Sequence, residues 1–224
     1  MGTLLPAVRT GKPAYHEAFG RGFWEDLEAH PDIAARFDEL MGVPGHGVPD
    51  WQIIINPADW ESVRTVVDVG GGTGALLAEI LRARPAVCGT LVDQPQTVAR
   101  SPEVFEAAGV THRVTTVGQS FFDTLPHGGD VYVLKNVLDD WPDSEATAIL
   151  KRCAEAARPN GRVVVFTGAG PGEDASPGLL MLVLVGGKER TFDEFRALAD
   201  EAGLIVSAVG QQKSGRVLVE CRPV

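Results

Sequence analysis

Residues Thr65–Leu81 read TVVDVGGGTGALLAEIL, and the order of residue types along this stretch decides the fold. An apolar, β-branched run suits a buried strand, while the apolar residues after the glycines recur at helical spacing. Between them, Asp68, Gly70, Gly72 and Gly74 give the spacing D-x-G-x-G-x-G. Residues without a β-carbon let the backbone turn tightly and lie against a ligand that any side chain would push away. A helix amino end near Thr73 then offers unpaired N–H groups to a polar ligand.

Gly70, Gly72 and Ala75 also satisfy the G-x-G-x-x-G/A pattern of dinucleotide binders, so the loop alone leaves the cofactor open. Thr90 to Asp93 reads as a second strand, TLVD, whose acid lies 19 residues beyond Gly74 and suits hydrogen bonding to ribose hydroxyls. That acid fits NAD or S-adenosylmethionine. From Thr65 onward strands near 65–69, 88–93, 113–117, 130–134 and 162–167 alternate with helices near 74–84, 96–109 and 143–157, the pattern of a mostly parallel, doubly wound sheet. A helix at about Phe192 to Ala202 follows. The runs LIVSAVG and RVLVEC, separated by QQKSG, then read as a hairpin. Such an ending belongs to a methyltransferase fold with an antiparallel last strand more than to a two-half dinucleotide fold, and it tips the cofactor toward S-adenosylmethionine.

Ahead of this region, Pro13 to Met41 has a helical pattern with Phe19, Phe23, Trp24, Leu27 and Phe37 as apolar contacts, broken near Gly20–Gly22 and at Pro31. Gly42 to Trp51, GVPGHGVPDW, is too rich in Gly and Pro for regular structure. The 224 residues are 44% apolar, enough for a full core. A net charge of −10 argues against nucleic acid or an anionic membrane and for a small-molecule ligand. Cys88, Cys153 and Cys221 are widely spaced and odd in number, which indicates neither a disulfide framework nor a metal site. With no long apolar run and no leader-like amino end, the expected location is the cytoplasm. His16, His30, His46, His112 and His127 show no metal-like spacing, although His46 sits on a loop able to cover a pocket.

A second chemical cluster is YVLKNVLDDWPDSEA, Tyr132 to Ala146. It begins as a strand, which puts Lys135 to Trp141 at the carboxyl edge where open parallel sheets bind ligands. Lys135 and Trp141 read as ligand contacts, Asp143 as a cap of the following helix, and Asp139 and Asp140 as solvated loop acids unless the ligand engages them.

The motifs VDVGGGTG, LVDQP, LKNVLDDWPD, RPNGRVVV and GGKERTFDEF, in this order, resemble the plant-caffeate-type O-methyltransferases and their actinobacterial polyketide relatives, including anthracycline methyltransferases and hydroxylases. The resemblance spans essentially the whole chain. It implies an α/β class I methyltransferase (Rossmann-like) fold: a doubly wound sheet with a terminal antiparallel hairpin, preceded by a short helical segment. Residues 1–50 would form the helical segment and Gly/Pro loop, and 51–224 the S-adenosylmethionine-binding domain. Asp68, Gly70, Gly72 and Gly74 would approach the cofactor, Asp93 with Gln94 beside it would hold the ribose, and Lys135 and Trp141 would complete the contacts. Where the family has an acid and an apolar residue gripping adenine, this chain has Ser120 and Phe121, so the hydrogen bond lacks charge assistance.

Departures from the family bear on the chemistry. Plant-type members carry a histidine base where this chain has Asp139, a weaker match to a phenol, and Glu189 corresponds to the acid that orients that histidine. Thr167 replaces another family acid. The expectation is therefore a methyltransferase acting on a phenolic or polyketide-type molecule in secondary metabolism, with S-adenosylhomocysteine as product and Asp139 and Glu189 as the candidate catalytic acids. Hydroxyquinone phenols ionise readily, so methyl transfer needs chiefly proximity and orientation. The alternatives are a cofactor-binding relative that catalyses hydroxylation, decarboxylation or cyclisation, or a partner subunit. Family members place a helical dimerisation domain of roughly a hundred residues ahead of this region. The resemblance thus implies a homodimer or a separate chain supplying that domain.

Overall fold

The computed structural model describes residues 4–41, 60–167, 178–211 and 217–224. The loop expected at Gly42–Trp51 with His46, the boundary at residues 50 and 51, the segment 168–177 and the hairpin turn at 212–216 lie outside the described residues.

Seven strands form one sheet in the order β3-β2-β1-β4-β5-β7-β6. Strands β1 (Thr65–Val69), β2 (Cys88–Asp93), β3 (Val114–Gly118), β4 (Val131–Lys135) and β5 (Arg162–Thr167) are parallel. Strand β7 (Val217–Pro223) inserts antiparallel between β5 and β6 (Leu204–Gln211), so the chain end pairs within the sheet as the hairpin pattern predicted. β1 pairs β2 on one side and β4 on the other, and the winding direction reverses between β1 and β4. Ligands of open α/β sheets bind at such a reversal, beyond the carboxyl ends of the strands.

Both faces of the central strands are buried, which is why β1 and β4 are near-continuous apolar runs rather than alternating ones. Val67, Val69, Tyr132 and Val165 pack on one face, while Val66, Val131, Val133 and Val164 pack on the other. The first face is covered by Ile149, Leu150 and Cys153 of a helix at Asp143–Ala157 and by Phe195 of one at Phe192–Glu201. The second is covered by Leu77, Ile80 and Leu81 of Ala75–Ala83 and by Phe105 of Ser101–Ala107.

Numbered along the chain, the helices are α1 (Leu4–Thr10), α2 (Tyr15–Phe19), α3 (Phe23–Ala29), α4 (Pro31–Met41), α5 (Ala75–Ala83), α6 (Pro95–Val98), α7 (Ser101–Ala107), α8 (Asp143–Ala157), α9 (Leu179–Val185) and α10 (Phe192–Glu201). The breaks at Gly20–Gly22 and before Pro31 fall where the sequence placed them, with Pro31 opening α4 at a position that needs no N–H. Helix α1 carries no signal that the sequence analysis used. The single helix expected at 96–109 is two, because Pro102 has no N–H to donate to the Val98 carbonyl four residues back, and the Ser101 hydroxyl takes that carbonyl instead at 2.8 Å.

Candidate functional site

At the end of β1 the chain turns through Gly70 and Gly72, both at positive φ (67° and 61°), where a side chain would be strained. The Gly70 N–H donates to the Val92 carbonyl at 2.8 Å, tying the turn to β2. A β-carbon at Gly71 would lie 2.5 Å from the Asp68 carboxylate, whereas one at Gly72 would meet no protein atom within 4 Å. The backbone at Gly72 thus faces open space, a cradle that a side chain would fill.

Asp93 ends β2 and closes this turn. Its Oδ2 accepts from the Gly72 N–H at 2.8 Å and its Oδ1 from the Gln94 N–H at 2.7 Å. Burial pushes its carboxyl up, and those two hydrogen bonds hold it partly back. Each oxygen keeps a second lone pair.

Asp68 is almost completely buried, and its Oδ2 has no hydrogen-bond partner among the described residues. Burial raises its pKa from 3.8 to about 7, against the pull of the Lys135 charge, while Asp93 adds repulsion. A buried acid with an unsatisfied oxygen is costly in isolation and is well matched to a cationic group arriving from outside.

These residues share one cavity of about 310 Å³. Asp68, Gly70, Gly72, Asp93, Gln94, Ser120, Phe121, Lys135 and Trp141 all line it, so nine of the residues singled out from sequence converge on one space. The Ser120 hydroxyl accepts from the Phe122 N–H at 3.2 Å. The Phe121 and Phe122 rings meet the Trp141 ring edge-on, at 5.9 and 4.9 Å between centroids.

Three expected site residues are not on the cavity wall. Gly74 has φ 87°, and a β-carbon there would sit 2.3 Å from Phe105 Cζ, so its place in the structure is a close packing of two helices. Asp139 and Glu189 are likewise absent from the lining. Asp140, read as a solvated acid, is the member of the pair that lines the cavity, and burial together with the neighbouring Asp139 charge raises its pKa to about 7. Asp143 does not cap α8 with its side chain. Its carboxylate instead takes Arg190 Nε at 2.9 Å and Lys188 Nζ at 3.1 Å; burial opposes its ionisation, but these bonds outweigh it and the pKa falls.

The leading helices supply a further wall of the cavity that was not anticipated from the residues. Trp24 from α3 stacks on Trp141 at 6.4 Å and 18°, and its buried indole N–H has no partner among the described residues. Phe37, Asp38 and Met41 come from α4. Asp38 forms an ion pair with Arg100, which also lines the cavity, and burial raises the Asp38 carboxyl against that pairing. The signal was available: Ala34, Phe37, Asp38 and Met41 recur at i, i+3, i+4 and i+7, a helix stripe that carries one acid among apolar residues. His16, His30, His112 and His127 do not line the cavity. Among the described residues no group of three or more His, Cys, Asp or Glu could hold a metal, and no helix is long and apolar enough to cross a membrane.

Residues 2–205 match the model of a family described as an O-methyltransferase domain. A 2,7-dihydroxy-5-methyl-1-naphthoate 7-O-methyltransferase of Streptomyces carzinostaticus is 44% identical over 207 residues, covering 92% of this chain and 62% of that protein. The aclacinomycin 10-hydroxylase RdmB of Streptomyces purpurascens is 41% identical over 212 residues, covering 92% of this chain and 56% of that one. Among solved structures, the O-methyltransferase NcsB1 from neocarzinostatin biosynthesis, in complex with S-adenosylmethionine and 2-hydroxy-5-methyl naphthoic acid, superposes with a TM-score of 0.88 at 40% identity, covering 99% of this chain and 67% of that one. The chain spans about three-fifths of the length of these two curated relatives.

Proposed function

Because this chain belongs to the O-methyltransferase domain family, we propose that it binds S-adenosylmethionine in the cavity at the β1/β4 reversal and methylates a phenolic hydroxyl of a small aromatic natural product. The single observation that carries this reading is the convergence, in one cavity, of the Gly72 cradle, the buried Asp68 with its unpartnered Oδ2, and Asp140. When bound, the cofactor supplies an electrophilic methyl group on a positively charged sulfur.

The residues present fit that cofactor. Asp68 offers a carboxylate oxygen without a partner to its ammonium group, and the pairing stabilises the ionised acid that burial disfavours. Asp93 presents its remaining lone pairs to ribose hydroxyls while its other ones hold the glycine turn shut. Ser120, Phe121 and Trp141 form the adenine side, with aromatic faces that exclude water. Gln94 and Lys135 complete the polar wall, and Gly70 and Gly72 let the backbone approach. Gly74 serves this site through the packing of α5 on Phe105.

Asp140 is the group we assign to the substrate proton. A carboxylate titrating at about 7 is a stronger base than one at 3.8, and it is better matched to an acidic phenol or hydroxyquinone. Asp139 raises that basicity by its charge, and Glu189 belongs to the segment that backs the same turn. The trapped proton leaves the phenolate oxygen as the nucleophile, and the aromatic walls from Trp24 and Trp141 suit a planar ring system. On this reading residues 51–224 act as the cofactor domain and 1–50 as the helical segment and Gly/Pro loop, with α3 and α4 contributing to the cavity wall. We infer a cytoplasmic protein, with a homodimer or a separate helical chain as its protein partner.

Calorimetric titration with S-adenosylmethionine and S-adenosylhomocysteine, with NADH as control, followed by product mass analysis on hydroxynaphthoic acids, tests this reading. Micromolar binding of the first two and gain of a methyl group support it; binding of NADH alone refutes it. A second reading, hydroxylation, is favoured by the 41% identity to a hydroxylase and by Asp139 in the histidine position, and gain of an oxygen atom would select it.

A further inference from the structure

Arg190 is one of the most deeply buried charges among the described residues, with 2% of its surface exposed. A buried guanidinium persists only when its N–H donors find acceptors. Here the acceptors are two carbonyls of the turn at Leu138–Trp141, the Asp143 carboxylate and, at 3.4 Å, the Lys188 carbonyl. Nη1 donates to the Leu138 carbonyl at 2.8 Å, Nη2 to the Trp141 carbonyl at 2.7 Å, and Nε to Asp143 Oδ1 at 2.9 Å. The two carbonyls bracket Asp139 and Asp140, and the Leu138 carbonyl also accepts the Trp141 N–H at 3.2 Å, the bond that closes the turn.

A second contact on the same turn comes from a different residue. A β-carbon at Gly187 would lie 2.1 Å from the Asp139 carbonyl oxygen and 2.6 Å from the Asp140 carbonyl carbon, so this glycine lies flush against the turn. Its segment is itself fixed: the N–H groups of Gly186 and Gly187 both donate to the Met181 carbonyl, at 3.0 and 3.3 Å, which terminates α9. The Ala14 N–H, just before α2, grips the Val183 carbonyl at 2.9 Å.

We propose that Gly187 and Arg190 are positioning residues that set the Leu138–Trp141 turn from behind, so that Asp140 and Trp141 face the cavity. The fork geometry of arginine is what the task requires, because one planar group must reach two carbonyls and a carboxylate at once. A lysine keeps the charge but offers a single nitrogen. The consequence for chemistry rests on the cofactor and proton roles given above to Trp141 and Asp140, while the positioning itself does not.

The test uses the full chain labelled with fluorotryptophan, in which the Trp141 fluorine resonance is assigned with W141F, together with the variants R190K and G187A. Gly187 is not at positive φ, so alanine there perturbs by contact alone. At a temperature well below unfolding, both variants are expected to move the Trp141 resonance while leaving that of Trp60, buried on the far core, in place. Both should weaken S-adenosylhomocysteine binding by about fivefold or more and lower kcat by at least about tenfold, whereas a purely structural role would lower Tm and leave kcat and the folded-state resonance unchanged. An unmoved Trp141 resonance in folded G187A, or in folded R190K, overturns the proposal. If R190K does not fold, G187A alone decides. If the parent chain neither binds the cofactor nor turns over, the proposed function fails, and the Trp141 resonance still decides the positioning.

Discussion

Replacing Asp68 by asparagine should make the ligand-free protein more stable at alkaline pH while removing its capacity to pair with a cationic ligand. In the folded chain the Asp68 carboxyl titrates at about 7, against an ordinary value of 3.8, chiefly because burial disfavours its charge. Well below the ordinary value of 3.8 the acid is protonated in both states, and wild type and Asp68→Asn have equal stability. As the pH rises, the unfolded chain ionises first, and the folded chain loses that advantage until its own acid ionises near 7. The stabilisation by the folded state's protonated acid is therefore fully present below 3.8 and lost through 7. At about 1.4 kcal/mol per unit, a shift of about three units makes the variant more stable by ~4 kcal/mol at about pH 8.

The assay is urea unfolding of the two proteins across this range, followed by calorimetry with S-adenosylmethionine. Wild-type affinity should rise with pH as less free energy is spent ionising Asp68, whereas the variant's affinity should be weak and flat. A stability difference that is the same at about pH 4 and about pH 8 would refute the reasoning, because it would show that Asp68 does not titrate between those limits.

At saturating S-adenosylmethionine, where the Asp68 titration no longer limits binding, Asp140→Asn should lower kcat/KM for the phenol at least about tenfold and abolish an acid limb with a midpoint near pH 7, since the group at that position titrates at about 7 and serves as base only when deprotonated. Asp139→Ala should keep a limb, moved downward by loss of its charge; a limb lost in Asp139→Ala and kept in Asp140→Asn would return the role to Asp139. The glycines separate binding from stability. Gly72→Ala, at φ 61° with open space beyond, should cost only ~1 kcal/mol of stability but weaken the cofactor at least about tenfold. Gly74→Ala, at φ 87° and 2.3 Å from Phe105, should cost ~3 kcal/mol in urea unfolding, and equal midpoints for the two variants would contradict this division.

Features dictated by local chemistry could be read from the residues. The apolar run, glycine turn and helical spacing of Thr65–Leu81 specify a strand, a tight turn and a helix, and a strand ending in an acid places Asp93 at the rim of the sheet. Alternation of such units imposes a parallel sheet with a cavity beyond its strand ends, so the residues at strand ends were legible as lining that cavity. The tertiary structure alone decided which of two adjacent acids faces the cavity. Successive residues of a short 3₁₀ turn point about 120° apart, and the setting of that turn comes from Arg190 and Gly187, some fifty positions along the chain. It also decided that Gly74 packs on Phe105, and that Trp24 and Asp38 reach the cavity across the Asp38–Arg100 pair. Those facts depend on contacts between distant segments, whose geometry follows from packing both faces of the sheet; local spacing marks the stripe on α4 but not what that stripe faces.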